Sequence, residues 1–238
     1  MKFNLFHRKK QKQSIGSSGY NIQGENNKII IVEEDDTECE LSKKETLDGL
    51  NIFIHGNDNQ ITIKKPYQKL SSCGIRVCAN NSRIIIGRNV SIDSMWCEVC
   101  NGDNQFISIG DNCVILGLTI QACDEKAGFI LEDSSLVSFN VVAWCSDAHS
   151  VILHDGTISN LIPKTIHIKE HCWIGYNATL YKNTKLEKNS VVAGSAVVTS
   201  AFDKEGIVIA GNPAKIIKEN INWDIRNPHA LEKIKTEG

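Results

Sequence analysis

The apolar positions of this chain follow neither a helical nor a strand period. From Ile168 onward they recur every six residues. The stretch divides into Ile168-Lys-Glu-His-Cys-Trp, Ile174-Gly-Tyr-Asn-Ala-Thr, Leu180-Tyr-Lys-Asn-Thr-Lys, Leu186-Glu-Lys-Asn-Ser-Val and Val192-Ala-Gly-Ser-Ala-Val, and Val198 opens the next unit. Every leading position is aliphatic. Every fifth position (Cys172, Ala178, Thr184, Ser190, Ala196) is small. A helix would space apolar residues by about 3.6, and a half-buried open strand by two. A strict six suits a solenoid of short strands and tight turns. Its aliphatic side chains stack into a narrow core, and its small residues sit where the chain turns and backbones approach. Neighbouring coils then cover each other's edges.

Earlier segments echo this pattern less regularly. Ile86-Gly-Arg-Asn-Val-Ser, Ile109-Gly-Asp-Asn-Cys-Val, Leu131-Glu-Asp-Ser-Ser-Leu and Val137-Ser-Phe-Asn-Val-Val are single units. The stretches from Asn21 to Ile31 and from Asn51 to Ile63 each read as strand, Gly/Asn turn, strand. Asn tolerates the left-handed backbone of a tight corner. The solenoid therefore extends over residues 20–210, with loops near 33–48 and 64–74. Residues 150–165, with Gly156 and Pro163, break the sixes and predict a protruding loop. The repeat stops after Ala210-Gly-Asn-Pro-Ala. Lys215-Ile-Ile-Lys-Glu-Asn and His229-Ala-Leu-Glu-Lys-Ile-Lys predict helical pieces, making 211–238 a C-terminal helical cap over the open solenoid end. Residues 1–19 form a separate basic segment.

With 238 residues and 41% apolar content, the chain can build a continuous core. A formal net charge of −2 gives no general reason to expect nucleic acid as partner. The cluster Lys2, Arg8, Lys9, Lys10 and Lys12 is read as a frayed, solvated tail, or as a weak tether to anionic lipid or a polyanionic polymer. No secretory h-region follows it, and no stretch approaches a membrane span. The expected compartment is therefore the cytoplasm, where the nine cysteines stay reduced and serve mostly as small core hydrophobes. Cys97-Glu-Val-Cys100 has zinc-ligand spacing but lacks a second pair, so no metal is expected.

The sixes, followed by Ala210-Gly-Asn-Pro-Ala-Lys-Ile-Ile-Lys218, resemble the hexapeptide-repeat acyltransferases, with the strongest likeness over about 131–219. Within that family the chain looks like the branch of galactoside and maltose acetyltransferases and bacterial polysaccharide O-acetyltransferases. The segment Ser146-Asp-Ala-His-Ser150 is similar to the sialic-acid-capsule enzymes in particular. The resemblance implies an all-β, left-handed parallel β-helix and a homotrimer, with acetyl-CoA held in a groove between adjacent subunits. The implied acceptor is a sugar hydroxyl of a bacterial surface polysaccharide or its precursor.

Acetyl transfer to a hydroxyl needs a base, and imidazole, with an ordinary pKa of about 6.5, suits the task. His149 stands at the edge of the repeat just before the loop, and the family's catalytic histidine occupies a corresponding place upstream of Trp173-Ile174-Gly175. Asp147 lies two residues earlier. In an extended segment it would share a side with His149, where it would orient the ring, bind a substrate hydroxyl, or simply form a turn. Asn140 is a further acceptor contact. By resemblance, Trp173 lines the acceptor pocket. By the same resemblance Tyr176, Ala193, Thr199, Lys215 and Lys218 border CoA. The backbone of Tyr176 and Ala193 would bond the pantetheine amides, and the lysines would pair with phosphates. The galactoside enzymes have arginines there, so a looser contact is implied. Ser195 is a hydroxyl close by, and an N–H near Gly175 is the candidate oxyanion donor. Cys145 follows the apolar run Val141-Val-Ala-Trp144, which predicts a buried, unreactive thiol and so direct attack by the acceptor.

Three other readings remain at this point. A γ-class carbonic-anhydrase-like site would use His149 and His154, but no histidine lies between His55 and His149 to supply the third zinc ligand. An N-acetyltransferase of a nucleotide-linked amino sugar would share the fold and base. A non-catalytic scaffold would bind no CoA.

Overall fold

In each six the leading aliphatic residue ends or centres a two- to four-residue strand, as in Thr165–Ile168, Trp173–Ile174 and Thr179–Tyr181. The fourth residue (His171, Asn177, Asn183, Asn189, Ser195) takes a left-handed backbone, with φ between 53° and 65°. That bend turns the chain through a corner and points the fifth side chain inward. Cys172, Ala178, Thr184, Ser190 and Ala196 are all buried. A larger residue there would meet the opposite wall, so the interior tolerates only small ones. Asn predominates at the bend because it bears the left-handed conformation at low cost.

Repeated, these corners generate a left-handed parallel β-helix in the computed structural model, which describes residues 19–42, 45–161 and 164–237. Among the described residues, three sheets of eight, nine and eight strands form the prism faces. The first sheet starts at Tyr20–Gln23 and ends at Val197–Val198, and its strands pair in parallel. Leu50, Ile52, Ile54, Ile75, Val77, Ile120, Leu180 and Val198 stack inside it. Burying each such side chain contributes roughly 1.5–3 kcal/mol before chain entropy is counted.

Two regimes of coil coexist. In the late part the period is 18 residues, as Thr179 pairs with Val197 and Trp173 with Val191. In the early part it is 22 or 23, as Cys73 pairs with Met95 and Met95 with Leu118. The extra residues lengthen the first- and second-sheet strands to between four and six residues, as in Met95–Cys100 and Phe106–Ile109. The sixes are therefore masked in the early coils, although the prism is the same.

The C-terminal reading needs a correction. Lys215-Ile-Ile-Lys-Glu-Asn is not helical: Ala214–Lys218 is a strand, antiparallel to Val208–Gly211. The last coil exposes unpaired backbone groups. A returning strand satisfies them, which outweighs a weak local helical preference. Among the described residues, α-helix forms only at Pro228–Glu237. The opposite end has a similar device, Glu38–Glu40 antiparallel on Lys28–Val32. The basic residues Lys2 to Lys12 and Pro163 lie outside the described residues. No helix among the described residues is long and apolar enough to cross a membrane.

Candidate active site

The coil leaves its path at the end of Val141–Trp144, where first and second sheets meet. Cys145 still donates to Gln121 O (3.0 Å), and Ser146 Oγ donates to Cys123 O (3.0 Å). Beyond this point the chain projects as a hairpin. Ser159 N donates to Val151 O (2.9 Å) and Leu153 N to Thr157 O (2.8 Å). Val151, Ile152, Leu153, Ile158 and Leu161 are exposed on it.

Polar contacts at the root of the hairpin hold it in place. The Asn160 amide donates to Asp147 Oδ2 (2.6 Å) and to the His149 carbonyl (2.9 Å), while its Oδ1 accepts from Val151 N (3.0 Å). Lys182 Nζ reaches Asp147 Oδ2 (2.7 Å) and the Asn160 carbonyl (2.6 Å). The Lys182 side chain is only 8% exposed, so its charge depends on these oxygens for solvation. Partial burial would raise the Asp147 pKa, but hydrogen bonds from Lys182 and Asn160 and the lysine charge together hold it below 3.8.

The backbone of His149 is thus fixed, yet among the described residues its ring has no hydrogen-bond partner. It borders a depression of about 220 Å³ that Asp147, Asn160, Lys164 and Lys182 also line. Among the described residues no hydrogen bond joins Asp147 to the imidazole; its carboxylate meets Asn160 and Lys182. Ala148 is left-handed (φ 58°), so the segment is not extended and the two-residue rule fails. The Asp147 carboxylate instead ties the loop root to the coil body. Lys182 and Asn160 were missed by sequence reasoning. Lys182 occupies the third place of an ordinary six, and only the loop folding over it makes it buried.

Most of the other expected residues lie elsewhere on the prism. Asn140, Tyr176, Ala193 and Ser195 occupy the corner between third and first sheets. Asn140 Nδ2 donates to Asn177 Oδ1 (2.6 Å), and Asn177 Nδ2 donates to Ser195 Oγ (3.3 Å), forming a corner ladder. Tyr176 is 61% exposed beside this ladder, and its carbonyl accepts from Ser195 N (2.8 Å). The Ala193 N–H already donates to Ile209 O (2.9 Å), and the Gly175 N–H to Val192 O (2.8 Å). A β-carbon at Gly175 would stand 2.6 Å from Val192 O, so the corner requires glycine. Of these backbone donors, only the Tyr176 N–H is without a partner among the described residues.

Thr199 is exposed between Val197–Val198 of the first sheet and Ala201–Phe202 of the second, on the same edge as His149, while Lys215 and Lys218 are exposed on the last strand of the third sheet. Trp173 lies on the third sheet, where its Nε1 donates to Ser138 Oγ (3.2 Å). The C-terminal Trp223 stacks on His171 (4.6 Å between centroids) and stands 6.1 Å from the Trp173 ring. Within one chain, then, the His149 corner, which Thr199 shares, and the corner carrying Asn140, Tyr176, Ala193 and Ser195 are separate edges of the prism.

Cys145 is fully buried, and burial pushes its thiol pKa far up. Burial likewise drives Cys172 to about 12. Neither is a nucleophile. Among the described residues no group of three His, Cys, Asp or Glu side chains could hold a metal ion.

No family model matches the chain. A polysialic acid O-acetyltransferase from Escherichia coli O1:K1 / APEC is 30% identical over 148 residues, which is 62% of this chain. The chain spans only 40% of the length of that curated relative. Among solved structures, the polysialic acid O-acetyltransferase OatWY superposes with a TM-score of 0.64 at 24% identity, covering 90% of both chains. The polySia-specific acetyltransferase NeuO superposes with a TM-score of 0.59 at 18% identity, covering 93% of this chain and 99% of its own. These likenesses establish the fold.

Proposed function

We propose that this chain, a hexapeptide-repeat β-helix that shares its fold with O-acetyltransferases, transfers an acetyl group from acetyl-CoA to a sugar hydroxyl. The observation that carries the reading is the imidazole of His149. It is exposed and unpartnered, and a latch that acts only on its backbone holds it over a depression. A ring so placed is free to accept a proton from an incoming hydroxyl.

In the reaction, His149 takes the acceptor O–H proton as the oxygen attacks the thioester carbonyl carbon. The tetrahedral oxyanion needs a donor, and the Tyr176 N–H is the available one near Gly175. The C–S bond then breaks, and the imidazolium returns the proton to the departing CoA sulfur. The products are an O-acetyl ester and free CoA. No covalent enzyme intermediate is needed, in keeping with the buried thiols.

The donor would lie along the other prism edge. Lys215 and Lys218 have no ion-pair partner among the described residues, so both ammonium groups are available to CoA phosphates. Because the His149 corner and the Tyr176–Ser195 corner are separate in one chain, the complete site calls for a second copy that brings its Tyr176 corner to this chain's His149. A closed homotrimer would form three such sites. The acceptor is taken to be a glycan of a bacterial surface polysaccharide or its precursor, and the compartment the cytoplasm, where acetyl-CoA is made.

The test is acetyl transfer from acetyl-CoA to a panel of glycans by the parent and by His149→Ala, with sedimentation to read the assembly. Transfer by the parent and its loss in a folded, associated His149→Ala protein is expected. Equal turnover in the two proteins would remove the base.

A further inference from the structure

A second depression, of about 580 Å³, runs along the same prism edge on the early coils, and Asn101 lines both it and the His149 depression. The two therefore form one trough along the seam of first and second sheets. It spans the coils from Gln23 through His55, Cys78 and Asn101 to Asp147. Five strand spacings separate its ends, roughly 24 Å at about 4.8 Å each. This length is far more than a single sugar ring or the reacting hydroxyl requires.

The distant part presents neutral amides, a histidine and the Asp103 carboxylate. Asn57 Oδ1 and Asn80 Oδ1 accept backbone N–H groups of the preceding coil (2.8 Å each), which leaves the Asn57 amide N–H₂ unused. The His55 ring and the Asn101 amide have no partner among the described residues. Both lysines lining the trough are paired. Lys164 pairs with Asp124 (2.9 Å) and Lys182 with Asp147 (2.7 Å), while Asp103 carries a negative charge with no ammonium beside it. A polyanion would need free cations here, and both lysines are already neutralised.

Resting on the acetyl-transfer reading above, we propose that this trough is an acceptor-binding groove for a neutral, linear, hydroxyl-rich glycan. The chain would lie along the prism axis with one hydroxyl delivered to His149. Amides and imidazoles both donate and accept, and so pair with sugar hydroxyls at any point along the seam. The enzyme would then modify a polymer or long oligosaccharide better than a short unit, and would not prefer a polysialic-acid-like chain.

The experiment compares kcat/KM for neutral linear oligosaccharides from disaccharide to octasaccharide with that for polysialic acid of matched length, using the full chain. Efficiency on neutral acceptors should rise with length and then level off, and should change little between low and near-molar salt. His55→Ala, a change confined to the distant part, should raise the octasaccharide KM roughly fivefold, the loss of about one hydrogen bond. Its kcat and its disaccharide KM should stay at the parent value. Efficiency that ignores length, or equal shifts on short and long acceptors, would overturn the groove while leaving acetyl transfer standing. Preference for polysialic acid with a strong salt dependence would overturn the neutral class. Failure to acetylate any acceptor would instead sink the underlying activity.

Discussion

The regular late coils and the root of the His149 loop are held by opposite means. In the coils, Ile168, Ile174, Leu180, Leu186, Val192 and Val198 are buried, and all but Val198, whose strand ends the first sheet, lie in strands paired on both sides. The support is apolar, repeated and redundant. At the loop root, two side chains, Asn160 and Lys182, make nearly all the ties, and every tie is polar. The contrast teaches where each kind of change should register. A coil substitution should change stability with little effect on the chemistry of the molecules that stay folded. A root substitution should change the chemistry through the position of His149, at smaller cost to the fold.

Leu180→Ala is the strongest test of the first half. It should cost about 2–5 kcal/mol of stability, read by denaturant unfolding, while turnover per folded molecule stays near the parent value. A large loss of turnover without a stability loss would break the contrast. Next, His149→Ala should keep the fold and assembly by circular dichroism and sedimentation yet lose about 100-fold or more in turnover. Lys182→Met comes third, with about a tenfold loss in kcat/KM and about 1.5–3 kcal/mol of stability from its lost charged hydrogen bonds. If its activity loss does not exceed that of a coil variant of equal stability, the latch has no positioning role.

The pH dependence sharpens the same point. The folded Asp147 pKa is below 3.8, so its pairing stabilises fully above that value and is lost as pH falls through the folded value. The stability gap between parent and Asp147→Asn should therefore be constant from about pH 5 to 8 and close in stronger acid. Across that range Asp147 stays ionised and its tie to Lys182 is kept. The smallest expected effect is Lys215→Ala, a several-fold rise in the acetyl-CoA KM with kcat nearly unchanged, since an exposed ammonium contributes modestly to phosphate binding. An unaltered KM would free Lys215 from that role.

Much of the late prism was legible in the sequence, because a six-residue period leaves its aliphatic and small residues in fixed places. The early coils were harder to read, since their 22- and 23-residue periods are not multiples of six. The break in the repeat just after His149 was legible too, and the chain does leave the coil there as a hairpin. The role of Asp147 was not, because it turned on Ala148 adopting a left-handed bend that nothing in the local residues demands.

The sequence by itself determined the coil, its core and the place where the chain leaves it, because these follow from local periodicity. The tertiary structure alone decided which oxygens meet Lys182, that Ala214–Lys218 returns as a strand, and that His149 and Tyr176 stand on different edges. Those outcomes depend on contacts between distant residues, such as Asp147 with Lys182, and on the backbone groups a finished coil leaves unpaired. No spacing along the chain encodes either.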